Sequence, residues 1–467
     1  MSETLEIAVV GHTNAGKTSL LRTLTRRGGF GEVSERPGTT RHVESVDRPF
    51  ASCGVVRFFD TPGLEDSVAL LDYLNALDVD GARVERVRAF LAGPEAHRSF
   101  EQEAKVLRTL LAVDAAFYVI DCREPVLPKY RAEIEILAAC GKPVMPVLNF
   151  MRDADQRSAE WQAALADHGL HAQAQFDAVA PFAGSEQRIY RDLTTLIGQR
   201  RALLEGIAAQ LELEQRERRS AGLLEIASLL VDASAMRQTL ARTTLEQPAE
   251  KERALAEFRA SVLQRARRTV DAVLEIHAFR RDEAELALLP WLDGRWEDDL
   301  FDAEVLKRAG RQLGTGAAIG ATVGAAADVA LAGLSLGAAT ALGAAVGGAL
   351  SQGFGPVGRT LRNRARGLQD LTLENATLEA LALQMLALQA ALEGRGHAAQ
   401  HAVRVAAPAA AHEARTRPAP LLRALSPARG RPEWCSSASG FPPASAERER
   451  VVEDVAAVLH RLVDGAV

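Results

Sequence analysis

The sequence predicts an α/β domain on a mostly parallel sheet, followed by an all-α region. Three observations carry this. Short continuous apolar runs at 5–10, 55–59, 115–120 and 144–148 are separated by helical stretches such as 129–139, the rhythm of a parallel sheet covered on both faces. The first run ends in a glycine-rich loop that opens a helix at Lys17. Beyond residue 202, apolar residues such as Leu255, Phe258, Val262 and Ala266 recur at spacings of three and four. Only 5% of residues are aromatic while alanine and leucine abound, which favours helices over an all-β architecture.

A chain of 467 residues exceeds what one hydrophobic core organises, so more than one domain is expected. The first is placed at 1–205, completed by a weak strand near 175–179 and a helix over 186–199. Between Gly63 and Val113 the chain is longer than one crossover helix requires, and a helical insertion is expected near 70–102. A helical domain follows over 206–393, a bundle rather than an extended coiled coil, because its apolar positions are too many for a two-per-heptad seam. A stretch rich in Pro, Ala, His and Arg at 394–445 reads as a disordered linker. Ser445 is suited to cap a terminal amphipathic helix at 446–463, with Val451, Val455, Val458 and Leu462 on one face.

The formal charge of -6 argues against nucleic acid as an obligatory partner of the whole chain. Cys53, Cys122, Cys140 and Cys435 lie far apart without C-x-x-C spacing, as expected for reduced thiols in a cytoplasmic protein. No basic segment followed by an apolar one opens the sequence, which agrees with that location.

Gly11-His12-Thr13-Asn14-Ala15-Gly16-Lys17-Thr18, followed by Ser19, fits G-x-x-x-x-G-K-[ST]. Such a loop curls its N–H groups around a β-phosphate at the positive end of the helix. Lys17 would neutralise β/γ oxygens and the Thr18 hydroxyl would reach Mg²⁺. Asp60-Thr61-Pro62-Gly63 closes the strand at 55–59; Asp60 would hold Mg²⁺ through water and the Gly63 amide would sense the γ-phosphate. Between them, Pro37-Gly38-Thr39-Thr40-Arg41 offers two threonines for the metal, Thr40 by motif position and Thr39 as the alternative.

These three elements, in this order, resemble the translation-factor-related GTPases, and P-G-T-T-R with D-T-P-G resembles the Era- and TrmE-like branch over residues 1 to about 200. The architecture also resembles a bacterial group in which such a domain is fused to a C-terminal domain of unknown function with a glycine-rich segment. The resemblance implies hydrolysis of GTP to GDP as a molecular switch, with Asn14, Lys17, Thr40 and Gly63 as the catalytic set. Leu64 stands where Ras-like enzymes carry a water-orienting glutamine. The resemblance further implies that K⁺ bound beside Asn14 supplies the missing charge; the alternative for Asn14 is a plain loop residue. N-K-x-D, the guanine motif, reads Asn149-Phe150-Met151-Arg152-Asp153 here. Asn149 is in place, Phe150 offers an apolar face instead of lysine, and Asp153 comes one position late. Guanine is favoured by resemblance, with adenine or relaxed specificity as alternatives.

Residues 313–350 are Gly- and Ala-rich, with Asp328 as their only charge. Gly316, Gly320 and Gly324 share one helix face, as do Gly333 and Gly337. With arginines at both ends, the stretch reads either as a hairpin at the inner face of the cytoplasmic membrane or as a soluble helical hairpin packed on the bundle. Dynamin-like membrane remodelling through a homo-oligomer and a non-hydrolysing nucleotide-binding scaffold are the alternatives to a switch acting on an effector protein. Trp291 and Trp296 read as core supports. His397, His401 and His412 are assigned no metal.

Overall fold

The computed structural model describes residues 3–27, 30, 43–51, 53–279, 334–336, 366–396, 419–435 and 445–464. Thr39 and Thr40, Trp291 and Trp296, the three histidines of the Pro/Ala-rich stretch and all of 313–350 except 334–336 lie outside these residues.

The chain divides into two units. The first holds residues 1–216 and 394–400, the second 217–393 and 401–467. The first division falls within a single helix, later than the boundary expected near 205.

The first unit opens with β1 (Glu3–Val10), α1 (Lys17–Thr25), β2 (Glu44–Phe50) and β3 (Gly54–Asp60). Then come α2 (Ser67–Ala76), α3 (Arg83–Ala92), α4 (Glu101–Ala112), β4 (Ala115–Asp121), α5 (Pro128–Ala139), β5 (Val144–Asn149), α6 (Ser158–Asp167), β6 (Ala174–Gln175) and α7 (Ser185–Leu193). The six strands form one sheet in the order β2-β3-β1-β4-β5-β6. Only β2 with β3 is antiparallel; the remaining pairs are parallel. The sheet has two covered faces because successive strand residues point to opposite sides. In β1, Leu5, Ile7 and Val9 join Phe117 and Val119 of β4 in a core shared with α1 and α7. Ala8 and Val10 join Tyr118 and Ile120 in the opposite core, with α2 to α6. The insertion is helical and, as α2, α3 and α4, runs past the expected 70–102 to Ala112; its Leu70, Leu74, Phe90 and Leu107 complete that second core.

Helix α8 (Arg201–Ala235) contributes Leu203, Leu204, Ile207 and Leu211 to the first unit and Leu223, Ile226 and Leu230 to the second. The second unit continues with β7 (Gln238–Ala241), α9 (Arg242–Glu246), α10 (Pro248–Ile276), β8 (Leu334–Leu336), β9 (Leu368–Leu373), α11 (Asn375–Glu393), α12 (Ala419–Arg429) and α13 (Ala446–Val463). Its core is aliphatic: Phe258, Val262 and Val270 of α10 meet Leu381, Met385 and Leu388 of α11 and Val455 and Leu459 of α13. Ser445 caps α13, its Oγ accepting the Arg448 N–H at 3.3 Å.

Three features of this mainly helical unit differ from expectation. A small antiparallel sheet, β7-β9-β8, accompanies the helices. Its strand β8 lies inside the glycine-rich stretch: Leu334-Ser335-Leu336, between two glycines, finds its backbone partners in β9. Among the described residues, no helix is long and apolar enough to cross a membrane. Lastly, 419–435 is no disordered linker. Leu421, Leu425, Ala428 and Trp434 are buried in the core, apolar anchors that the surrounding Pro/Ala/Arg composition conceals.

The second unit also buries charge. Arg448 donates through Nη2 to Asp232 Oδ1 at 2.9 Å and to Ser228 Oγ at 2.9 Å, and through Nε to the Trp434 carbonyl at 3.2 Å. Arg237 pairs with Asp370 at 3.3 Å, and Thr239 Oγ1 donates to the same carboxylate.

Candidate nucleotide site

β1 ends at Val10 and α1 begins at Lys17, so the loop between them sits at the C-terminal edge of the parallel strands, where ligands of open α/β sheets bind. Its backbone turns through left-handed conformations at Asn14 (φ 64°) and Gly16 (φ 94°), the first tolerated by an Asn side chain and the second by glycine. Asn14 is exposed, and Gly16 stands at the N-cap of α1, the positive end of that helix.

Lys17 is buried, its Nζ donating to the carbonyls of Gly11 at 3.1 Å and His12 at 2.8 Å. Burial holds its pKa below the usual lysine value, against the pull of Asp60, Glu133 and Glu65. Thr18 Oγ1 donates to Asp60 Oδ2 at 2.6 Å. Asp60 is 1% exposed, and its Oδ1 is buried without a hydrogen-bond partner. Burial pushes this carboxyl up from the ordinary carboxylate value. An orphaned, buried carboxylate oxygen beside a threonine hydroxyl is the oxygen donor set that Mg²⁺ accepts, so the residues present fit the ion.

Asp60 ends β3, and the chain then passes close to the phosphate loop. Thr61 Oγ1 donates to the Val9 carbonyl at 2.8 Å. Gly63 lies so near Thr13 that a Cβ there would collide with the Thr13 side chain and backbone. Leu64, fully buried, turns its side chain into the core.

At the opposite end, Asn149 ties three loops together. Its Nδ2 donates to the Ala15 carbonyl at 3.1 Å, while Oδ1 accepts the N–H groups of Phe150 at 2.9 Å and Ala178 at 3.0 Å. Phe150 adopts φ 59° and carries the Arg123 guanidinium over its ring, 3.8 Å from the centroid. Asp121 holds Arg123 with both carboxylate oxygens, at 2.9 and 2.7 Å. Asp153 sits in an exposed turn and accepts the Asp155 N–H at 3.0 Å. Arg152 occupies the place of the motif's aspartate; it donates to the Ala180 carbonyl at 2.7 Å and covers the Phe182 ring at 4.6 Å.

The structure thus brings Gly11 to Ser19, Asp60, Gly63, Asn149 and Phe150 to one edge of the sheet. Sequence reasoning missed two carboxylates nearby. Asp177 closes the loop after β6, its Oδ1 accepting the N–H groups of Val179 and Ala180 at 3.0 and 2.9 Å. Glu133, fully buried, accepts from His12 Nδ1 at 2.7 Å and from Tyr118 Oη at 2.9 Å. An acidic residue among the apolar positions of α5 was the available signal. A cavity of about 280 Å³, lined by His12, Lys129, Tyr130 and Trp161, adjoins the outer side of the loop.

The comparisons with known proteins divide the chain between residues 150 and 162, within the first unit. The family described as a domain of unknown function, DUF3482, matches residues 162–457, more than half of the chain. The chain belongs to that family. Ahead of the DUF3482 region, the family described as 50S ribosome-binding GTPase matches residues 6–150. The "probable GTP-binding protein EngB" of Anaeromyxobacter sp. (strain K) is 45% identical over 65 residues, 13% of this chain and 30% of EngB. The tRNA modification GTPase MnmE of Beijerinckia indica subsp. indica is 29% identical over 182 residues, 39% of this chain and 32% of MnmE. The chain spans less than a third of the length of these curated relatives. Among solved structures, Aquifex aeolicus Era bound to GDP·AlF₄⁻ matches with a TM-score of 0.29 and 20% identity, over 38% of this chain and 52% of that one. The DUF3482 chain thus carries a P-loop domain over residues 6–150 that is similar to the 50S ribosome-binding GTPase family, with parts resembling EngB and MnmE, ahead of the DUF3482 match.

Proposed function

We propose that the chain hydrolyses GTP to GDP as a molecular switch. The observation that carries the reading is the pairing of Thr18 with the buried, half-satisfied Asp60 beside Lys17, with Gly63 closed against Thr13. Thr18 would hold Mg²⁺, with Asp60 acting through water and, by resemblance, Thr40 or Thr39 joining them. The ion's chemistry is to neutralise charge on the β/γ oxygens. Lys17 and the N–H groups opening α1 bind the phosphates, while the Gly63 amide follows the γ-phosphate and relaxes once it is lost.

Leu64 points into the core and has no group that orients water. We therefore assign the missing charge to K⁺ held beside Asn14, which stands exposed at the lip of the loop. The change in the switch loop would be transmitted to the helical region and to an effector protein; contact of that region with membrane lipid and self-association belong to the same proposal.

The deciding experiment is single-turnover hydrolysis of γ-labelled GTP with Mg²⁺, in KCl and in NaCl. Faster hydrolysis in KCl, with the difference abolished by Asn14→Ala, supports the reading. Equal rates in the two salts would remove K⁺ from it. Bound GTP unchanged over hours in KCl would replace the switch by a nucleotide-binding scaffold, a reading that the burial of Leu64 favours.

A further inference from the structure

The loop after Gly63 is held from two sides, one within the phosphate-loop motif and one outside any recognised motif. On one side stands the phosphate loop. His12 Nδ1 lies 2.9 Å from the Leu64 carbonyl and 2.7 Å from Glu133 Oε1, while Lys129 Nζ is 2.9 Å from His12 Nε2. Because the Lys129 ammonium can only donate, Nε2 accepts and the ring proton sits on Nδ1, shared between Glu133 and Leu64. The Leu64 N–H points to the Gly11 carbonyl at 3.4 Å.

On the other side stands the insertion. Glu103, in the first turn of α4, is 5% exposed, and its Oε1 accepts the N–H groups of both Glu65 at 3.2 Å and Asp66 at 3.1 Å. Leu64 is packed into the core that the insertion completes, with Leu70, Phe90 and Leu107. Ser67 Oγ, which opens α2, donates to the Lys129 carbonyl at 2.8 Å. The polar backbone groups of Leu64 and the N–H groups of Glu65 and Asp66 are thus divided between the phosphate loop and α4.

We propose that Glu103 is a positioning residue for hydrolysis, and that through it the α2–α4 insertion sets how the Gly63 amide answers the γ-phosphate. A movement of Gly63 toward or away from the phosphates is passed along the chain to Leu64, Glu65 and Asp66. Such a movement strains the two N–H bonds to Glu103 and so loads α4. By the reciprocity of coupled equilibria, any contact that displaces α4 moves Gly63 and changes the rate. The insertion is then the regulatory input of the domain rather than packing alone.

The proposal rests on the nucleotide site read above, and its test has an arm that needs no hydrolysis. Hydrogen exchange at the Glu65 and Asp66 amides is compared between full-length protein with Mg²⁺·GDP and with Mg²⁺ and a non-hydrolysable GTP analogue. The wild type is expected to differ between the two nucleotides, and Glu103→Ala to abolish the difference with GDP affinity kept within about twofold. In single turnover, Glu103→Ala is expected to lose tenfold or more in rate. Glu103→Gln, whose Oε1 still accepts both N–H groups, is expected to recover to within about threefold of the wild type. Wild-type exchange and rate in Glu103→Ala overturns the proposal; so does a loss of rate matched by an equal loss of GDP affinity and melting temperature, the mark of a purely structural role. If the wild type does not hydrolyse GTP but the exchange difference vanishes in Glu103→Ala, the clamp stands and the hydrolytic reading falls.

Discussion

Arg123 lies over the ring of Phe150, its guanidinium carbon 3.8 Å from the centroid, and Asp121 fixes it there through both carboxylate oxygens. The pair replaces the lysine expected at this place with a cation carried on an aromatic face. Such a contact contributes about 0.5–2 kcal/mol, depending on how far it is desolvated. Phe150→Ala is therefore expected to weaken GDP and GTP alike, by roughly twofold to thirtyfold, in a fluorescent-nucleotide titration. Loss of GTP affinity with GDP unaffected would contradict a role at the base.

Arg152 and Asp153 carry the second prediction. No carboxylate follows Asn149 at the third position, and the one at the fourth is engaged in its own turn. Arg152→Asp supplies a charged acceptor at the motif position, and hydrogen bonds to charged groups contribute about 1.5–3 kcal/mol. Competition of ATP and GTP for one labelled nucleotide should show the guanine preference rising by roughly one to two decades.

Asn149 offers a stability test. Truncation to alanine leaves the buried Ala178 N–H and the Phe150 N–H without their acceptor, at about 1–3 kcal/mol for each buried group. Asn149→Ala should lower both the melting temperature and nucleotide affinity. Asn149→Asp, which retains the acceptor, should restore part of each.

The Asp60 carboxyl gives a pH dependence with a definite sign. Burial raises its folded pKa above the unfolded value near 3.9, so the folded state holds the proton more tightly. Without Mg²⁺, its contribution to stability declines as pH rises from about 3.9 through the raised folded value, and above that the penalty is complete. Asp60→Asn should therefore gain melting temperature over the wild type as pH rises from 4 to 8 in EDTA. Excess Mg²⁺ and GDP should reverse the order.

In the second unit, Asp232→Ala leaves Arg448 buried among Ser228 and the Trp434 carbonyl without its carboxylate. Breaking a buried pair on one side costs about 3–5 kcal/mol. Thermal or urea unfolding should show this loss, whereas Arg253→Ala, which breaks an exposed pair with Glu257, should change stability by less than about 1 kcal/mol.

Much of the first unit was legible because its signals are local. The strand, loop and helix around Gly11 to Thr18 obey short-range rules, and so do the continuous apolar runs of β1 and β4 and the acid that ends β3. The clamps on Leu64 were not legible: His12 to Glu133 and Glu65 to Glu103 join residues far apart in sequence, and no spacing announces them. The error at 419–435 had a different cause. Composition averages over a window, while burial of Trp434 and Leu425 depends on a few residues meeting a core built elsewhere. In β8, three residues between glycines carried too little pattern to compete with the helical reading of their surroundings.

Residues 394–396 return from the end of α11 to the first unit. There the Gly396 N–H donates to the Val179 carbonyl at 2.9 Å, and a Cβ on Gly396 would collide with the Ala178 carbonyl, the atom that accepts from Thr23 Oγ1 at 2.7 Å. This covering segment lies about 220 residues downstream of the loop it covers. At ribosomal speeds of 5–20 residues per second, on the order of 10–40 s separate the two during synthesis. Synthesis therefore completes the loop well before the segment that covers it. The loop that Asn149 fastens is thus closed, at Val179, by residues made long after it.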